Sequence, residues 1–81
     1  DYLTGCYNRA HLFTAGEEEL ALTRLAQRPA SVIVFDADRF KSINDRFGHD
    51  AGDAVLRQLA LVCQRQLRGG DLLARLGGEE F

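Results

Sequence analysis

The feature that most constrains the fold is a short apolar run, Ser31-Val32-Ile33-Val34-Phe35, which lies between Pro29 and Asp36. β-Branched and aromatic residues favour extended backbone, and a run of this length is typical of a strand. Because apolar residues occupy both faces, we expect a strand that is buried on both sides. The sequence therefore predicts a central strand from Ala30 to Phe35, with Asp36 at its carboxyl end.

Helical patterns lie on both sides of this run. Residues Asn8 to Arg28 favour a helix, with Asn8 as a candidate N-cap and Pro29 as its end. From Ala51 to Leu67, apolar residues recur at helical spacing, and Gly69-Gly70 follows as a stop signal. The sequence therefore predicts two long helices.

The C-terminal part of the sequence favours strands. Residues Asp71 to Leu76 suit a strand, and Gly77-Gly78 predicts a tight turn into a further strand. This order of elements belongs to an α/β or α+β sheet with helices packed on it. Because a sheet of this kind with only two strands is poorly covered, we expect the domain to need more chain after Phe81.

Charge and cysteine content exclude several classes. A net charge of -2 gives no cationic field for a nucleic-acid polymer, and no apolar stretch is long enough to span a bilayer. Cys6 and Cys63 are far apart and lack the spacing of a disulfide framework or a zinc site, so a cytoplasmic domain is expected. Cys63 falls on the apolar stripe of the second helix, which favours a buried, inert thiol.

The 81 residues allow one small domain or part of a larger one. The chain begins with Asp1 rather than Met and stops at Phe81, directly after an acidic pair. These features predict an excerpt of a longer polypeptide, in which a membrane anchor or a sensor domain would lie elsewhere.

Acidic residues gather at two places that a sheet could bring together, Asp36 with Asp38 after the apolar run and Glu79 with Glu80 at the glycine turn. Neighbouring residues of an extended segment point to opposite faces, so Asp36 and one of the two glutamates could converge. Paired carboxylates favour a hard divalent cation such as Mg²⁺, with Mn²⁺ as an alternative. Solvated turn residues are the other interpretation.

Three polar residues lie beside or within a predicted break between helical segments at Phe47 to Asp50. Asn44 and Asp53 flank the break, and their amide and carboxylate suit the edge of guanine. A turn role for Asn44 and helix capping by Asp53 are the alternatives. His49 lies within the break, where it could contact a ligand or cap a helix.

Three ordered motifs occupy most of the chain. They are Asp1-Tyr2-Leu3-Thr4-Gly5-Cys6-Tyr7-Asn8-Arg9, then Phe35-Asp36-Ala37-Asp38-Arg39-Phe40-Lys41-Ser42-Ile43-Asn44-Asp45 with Gly48-His49-Asp50-Ala51-Gly52-Asp53, and Ala74-Arg75-Leu76-Gly77-Gly78-Glu79-Glu80-Phe81. Together they resemble the GGDEF domain of bacterial diguanylate cyclases. The resemblance implies an α+β fold with a palm-like, ferredoxin-like antiparallel sheet and flanking helices, of which residues 1–81 are the N-terminal portion.

The resemblance also implies an activity and a set of site residues. The family converts two GTP molecules into cyclic di-GMP and two pyrophosphates. The implied metal ligands are Asp36, the carbonyl of Ala37, Glu79 and Glu80, and the two glutamates are also the implied catalytic acids. The implied substrate contacts are Asn44, His49, Asp53, Phe40, Lys41, Gly77 and Gly78.

The same resemblance implies regulation and assembly. Arg68 and Asp71 match the family's Arg-x-x-Asp site, where the product cyclic di-GMP inhibits, although a helix end followed by a turn explains Gly69-Gly70 equally well. Because each GTP supplies half of the product ring, a homodimer is implied, positioned by a sensor or receiver domain. The family takes basic residues for the triphosphate from chain after its signature, so the 81 residues alone are expected to be inactive or poorly folded. A noncatalytic module that senses GTP or cyclic di-GMP is the alternative function.

Overall fold

The computed structural model describes all of residues 1–81 and contains three α-helices. Helix α1 spans Arg9–Leu25, α2 spans Phe40–Phe47 and α3 spans His49–Gln66. The rest of the chain is extended or turn backbone that is joined by isolated β-bridges rather than by continuous strands. None of the three helices is both long enough and apolar enough to cross a membrane.

Helix α1 begins as predicted. The side chain of Asn8 accepts a hydrogen bond from the backbone N–H of His11 at 2.8 Å, which satisfies one of the free donors of the first turn. The helix ends at Leu25, earlier than the predicted Arg28, and none of its residues is buried.

A left-handed cap, and not Pro29, sets the end of α1. Gln27 has a φ of 54°, and its N–H donates to the Arg24 carbonyl at 3.1 Å. The N–H of Arg28 donates to the Thr23 carbonyl at 2.9 Å. These two bonds and the left-handed residue form a Schellman motif, which ends the helix before the proline is reached.

Gly48 separates α2 from α3, which confirms the predicted break. Its φ of 92° departs from helical geometry, and its N–H donates to the Asn44 carbonyl at 2.8 Å. Helix α3 therefore starts at His49 rather than at Ala51, and it ends at Gln66, close to the predicted Leu67.

The core lies where α3 meets the N-terminal segment and the last residues. Its buried members are Cys6, Leu56, Ala60 and Phe81, and Phe35 and Phe40 are among the half-buried side chains that pack against them. Both cysteines are free, as predicted. Cys63, expected to be a buried thiol, is only half-buried, because the buried stripe of α3 runs through Gly52, Leu56 and Ala60.

The predicted central strand is only partly formed. Phe35 exchanges two backbone hydrogen bonds with Phe81, at 2.9 and 2.8 Å, but Val32, Ile33 and Val34 are 84%, 79% and 66% exposed. The expectation of burial on both faces is therefore wrong for these residues. A strand becomes buried only when neighbouring strands and helices cover it, and within residues 1–81 only the glycine turn reaches its end.

The predicted strand from Asp71 to Leu76 pairs with an unexpected partner. Ala74 forms a parallel bridge with Tyr7, through hydrogen bonds from Tyr7 N–H to the Leu73 carbonyl and from Arg75 N–H to the Tyr7 carbonyl. The N-terminal segment is thus bonded to the chain that leads into the glycine turn.

The cap of α1 generates a stability prediction. Replacing Gln27 with Gly removes the Cβ penalty of left-handed backbone, so we expect the free energy of unfolding to rise by up to about 1 kcal/mol. Urea unfolding of the protein measures the change. Gln27→Ala is the matched control, because it shortens the side chain and keeps the Cβ. Equal stability of the Gly and Ala variants would show that the backbone at this position is not strained.

Candidate functional site

A tight turn presents the two glutamates. The N–H of Glu80 donates to the carbonyl of Gly77 at 2.9 Å, which closes a four-residue turn. Gly78 has a φ of 53° and Glu79 has no positive φ, which is the pattern of a type II′ hairpin turn. The predicted turn at Gly77-Gly78 is confirmed, and its positive φ is the physical reason for glycine at position 78.

Asp36 and Glu80 lie directly opposite each other in an antiparallel bridge. The hydrogen bonds on either side of the bridge are made by Phe81 N–H to the Phe35 carbonyl and by Ala37 N–H to the Glu79 carbonyl. Asp36 and Glu80 are therefore a non-hydrogen-bonded pair, the kind in which side chains share a face and approach most closely. Of the two glutamates, Glu80 is the one that the backbone places beside Asp36.

The acidic pair borders an open cleft of about 250 Å³, which Val34 and Phe35 also line. Both acids are exposed, and neither carboxylate takes part in a hydrogen bond or a salt bridge. Like charges directly opposite each other destabilise a bridge. The pair is therefore a place where a bound cation would relieve repulsion.

This donor set fits a magnesium ion. Mg²⁺ is commonly held by one or two carboxylates and completes its shell with water and substrate phosphate. The structure gathers no group of three or more His, Cys, Asp or Glu side chains. Glu79 is half-buried in the turn, and its backbone carbonyl accepts a hydrogen bond from the N–H of Ala37. Two carboxylates are thus brought together, and the metal roles of Glu79 and Ala37 stay predictions.

The first turn of α2 lies four residues after Asp36 and carries free backbone donors. Arg39, in the left-handed conformation, is its N-cap and makes no side-chain capping bond. The backbone N–H groups of Phe40, Lys41 and Ser42 accordingly have no partner within the protein. Free N–H groups and the positive end of the helix dipole favour an anion. Lys41 is exposed, while Phe40 is half-buried against the core.

The predicted guanine contacts occupy two adjacent helices. Asn44 lies inside α2 and Asp53 lies inside α3, and both are half-buried. The turn role for Asn44 and the capping role for Asp53 are therefore wrong, because the N-cap of α3 is Gly48 and no side chain caps it. His49 is exposed as the first residue of α3 and makes no capping bond.

Arg68 and Asp71 are the ends of one exposed turn. The carboxylate of Asp71 accepts from the backbone N–H of Arg68 at 3.0 Å, and the Asp71 N–H donates to the Arg68 carbonyl at 3.0 Å. The Arg68 guanidinium makes no hydrogen bond and is free to meet a ligand. The turn interpretation is thus correct, and the product-binding interpretation stays a prediction.

Arg75 contacts the glycine turn, which the sequence analysis did not predict. Its Nε–H donates to the Gly78 carbonyl at 2.8 Å, and its Nη1 lies 3.2 Å from the Asp1 carboxylate. It borders a second cleft, of about 540 Å³, on the side of the turn that faces the start of α1. An arginine two residues before a Gly-Gly turn was the available signal.

The whole chain matches one family model. Residues 1–81 match the model described as "Diguanylate cyclase, GGDEF domain". The chain therefore belongs to the GGDEF domain family of diguanylate cyclases.

Curated relatives agree with this assignment. The chain is 44% identical over its full length to the probable diguanylate cyclase DgcC of Escherichia coli K12, of which it covers 22%. It is also 44% identical to the response regulator PleD of Caulobacter vibrioides, of which it covers 18%. It is 48% identical over 83 aligned residues to the diguanylate cyclase TpbB of Pseudomonas aeruginosa, of which it covers 19%. The chain thus spans about a fifth of the length of these relatives.

Solved structures show the same fold. The GGDEF domain of TpbB from Pseudomonas aeruginosa matches with a TM-score of 0.87 and 46% identity, over 99% of this chain and 46% of that one. A microbial GGDEF domain studied for its interaction with cyclic di-GMP matches with a TM-score of 0.92 and 38% identity, over 99% of this chain and 52% of that one. The GGDEF fold that the sequence predicted is confirmed, whereas the extent of its antiparallel sheet stays a prediction.

The contacts of Arg75 generate a second prediction. Arg75→Ala removes a charge-assisted bond to the Gly78 carbonyl and the ion pair with Asp1, so we expect the free energy of unfolding to fall by about 1–2 kcal/mol. Arg75→Lys keeps the charge but lacks the planar fork, and we expect it to recover less than half of the loss. Denaturant unfolding measures both variants. Unchanged stability of Arg75→Ala would mean that the arginine does not brace the turn.

Proposed function

We propose that residues 1–81 are the N-terminal portion of a GGDEF domain that acts as a diguanylate cyclase, condensing two GTP molecules into cyclic di-GMP and two pyrophosphates. The observation that carries the proposal is the in-register opposition of Asp36 and Glu80 at an open cleft. Family membership supports the same class of enzyme.

The acidic pair is the proposed metal site. Asp36 and Glu80 hold the ion, assisted by Glu79 and the carbonyl of Ala37, and Mg²⁺ is its proposed identity, with Mn²⁺ able to replace it. When bound, the cation supplies neutralisation of phosphate charge and acidity at a coordinated oxygen. The family relationship supports a divalent metal, and the donor chemistry favours Mg²⁺.

The chain's own residues then bind and orient the substrate. Free N–H groups at the start of α2 and the Lys41 ammonium take the β- and γ-phosphate oxygens. Gly77 and Gly78 leave an open surface, since a Cβ at either position would meet no atom within 4 Å, and the turn can approach ribose or phosphate closely. Glu79 accepts the proton of the attacking 3′-hydroxyl, and the 3′-oxygen attacks the α-phosphorus of the facing GTP in line with the departing pyrophosphate.

Guanine is the proposed base. The Asp53 carboxylate makes no bond within the protein, so it is free to accept from the N1–H and the exocyclic amine of guanine. The Asn44 amide meets an acceptor on the same base, and the exposed His49 is a lesser contact.

The reaction requires a homodimer, because each GTP supplies half of the ring. Val32, Ile33 and Val34 are exposed, although apolar residues at such positions are normally covered by neighbouring strands and helices. Their exposure supports a domain that includes more chain than residues 1–81. We propose that an attached sensor or receiver domain controls the dimer, and one relative, PleD, is named a response regulator.

Turnover by the complete domain tests the proposal. GTP and Mg²⁺ are expected to yield cyclic di-GMP, detected by mass spectrometry. We expect Asp36→Asn and Glu79→Ala each to lower the rate by at least about 100-fold, because one loses a metal ligand and the other the proton acceptor.

Asp38→Asn is the matched control for the loss of a nearby carboxylate, since Asp38 lies outside the Asp36–Glu80 bridge. Tight GTP binding by a folded dimer without any product would reject the cyclase and favour the noncatalytic sensor module. Near-normal turnover by Glu79→Ala would overturn the role of that residue alone.

Product inhibition gives a separate prediction. We propose that Arg68 and Asp71 bind cyclic di-GMP, the arginine through its planar fork and the aspartate through a guanine amine edge. Arg68→Ala is expected to raise the product concentration that halves the initial rate by about tenfold or more. Arg65→Ala, which removes a charge from the last turn of α3, is the control. Equal inhibition of the wild type and Arg68→Ala would exclude this site.

A further inference from the structure

Helices α2 and α3 are in close contact at Gly52, a buried residue of α3. A Cβ placed on Gly52 would lie 1.8 Å from Oδ1 of Asn44 and 3.1 Å from Cζ of Phe40. Real Cβ atoms essentially never show the first separation, and the second is tighter than most real Cβ contacts. The space that a side chain at position 52 would need is thus filled by the amide of Asn44.

The two ends of this amide have different surroundings. Oδ1 of Asn44 is buried and accepts no hydrogen bond, and it is the only buried side-chain polar atom of the chain without a partner. Nδ2 makes no hydrogen bond either, and it is not among the buried unpartnered atoms, so the nitrogen is the end of the amide that solvent reaches. The amide therefore presents donors to the outside and packs its acceptor against Gly52.

Physical chemistry favours this orientation over the flipped one. The Cα hydrogens of glycine can make weak C–H···O contacts with the buried oxygen, which lowers the cost of leaving it without a stronger donor. The flipped amide would bury two N–H donors against the same C–H groups. A site with outward donors suits the O6 acceptor of guanine, at the position where adenine carries its N6 amine donor.

We propose that Gly52 is a positioning residue for base selection: by leaving room for Oδ1, it holds the Asn44 amide with its donors outward, and so favours guanine over adenine. The inference rests on the proposed function, in which Asn44 and Asp53 contact the base. Gly52 itself touches no substrate and acts through Asn44.

The test measures nucleotide affinity rather than turnover. The probes are the triphosphates of 3′-deoxyguanosine and 3′-deoxyadenosine, which lack the attacking hydroxyl, titrated with Mg²⁺ into the complete domain. We expect Gly52→Ala to weaken the guanine probe by about tenfold or more and to lower the ratio of guanine to adenine affinity, because Oδ1 is forced out of its space.

Gly16→Ala is the matched control. Gly16 is a glycine inside α1 with no atom within 4 Å of an added Cβ, so the same substitution there is expected to leave affinity and selectivity unchanged. A second comparison separates positioning from general damage: in an Asn44→Ala background, which removes the clashing oxygen, adding Gly52→Ala is expected to change guanine affinity by less than about twofold.

Each result bears on the proposal. Wild-type affinity and selectivity in Gly52→Ala would overturn it, and so would an equal loss in the Asn44→Ala background, since Gly52 would then act on the fold alone. If Gly52→Ala does not fold, Asn44→Asp decides, because it keeps the shape and replaces the outward donors by an oxygen; unchanged guanine selectivity would overturn the proposal. A wild-type domain that binds neither probe would reject the proposed function as well.

Discussion

The site depends on the pairing of Phe35 with Phe81. Two backbone hydrogen bonds join these residues, and their rings stack with centroids 5.5 Å apart and planes 11° from parallel. Phe81 is 4% exposed and belongs to the core. Because register in an antiparallel pair is set by one fixed position, burial of Phe81 places Glu80 opposite Asp36, and the hydrophobic core thereby offsets the repulsion between the two acids.

Further contacts hold the turn from its other side. The Arg75 guanidinium joins the Gly78 carbonyl to Asp1, and the bridge between Tyr7 and Ala74 carries the N-terminal segment along the same stretch of chain. The turn that carries the glutamates is thus held on its C-terminal side by Phe81, which lies in the core, and on its N-terminal side by the bridge to the N-terminal segment.

Local signals were sufficient for α1, α3 and the turn, whereas the sequence analysis assigned no bounds to α2. Asn8 caps α1, Gly48 separates α2 from α3, and Gly78 supplies the positive φ of the hairpin, as the sequence indicated. The end of α1 was misplaced, because the left-handed cap at Gln27 uses a residue type that rarely adopts this conformation and leaves no signal in the sequence. The central strand was predicted as buried, because periodicity reports which residues are apolar and not what covers them.

By itself, the sequence determined the family, two of the three helices, the turn and the residue types gathered at the site, because these follow from local backbone preferences and from motifs at fixed spacing. Only the tertiary structure decided which glutamate lies beside Asp36 and that Gly52 makes room for the Asn44 amide. Each of these depends on register or close approach between separate segments of the fold, and no local pattern contains that information.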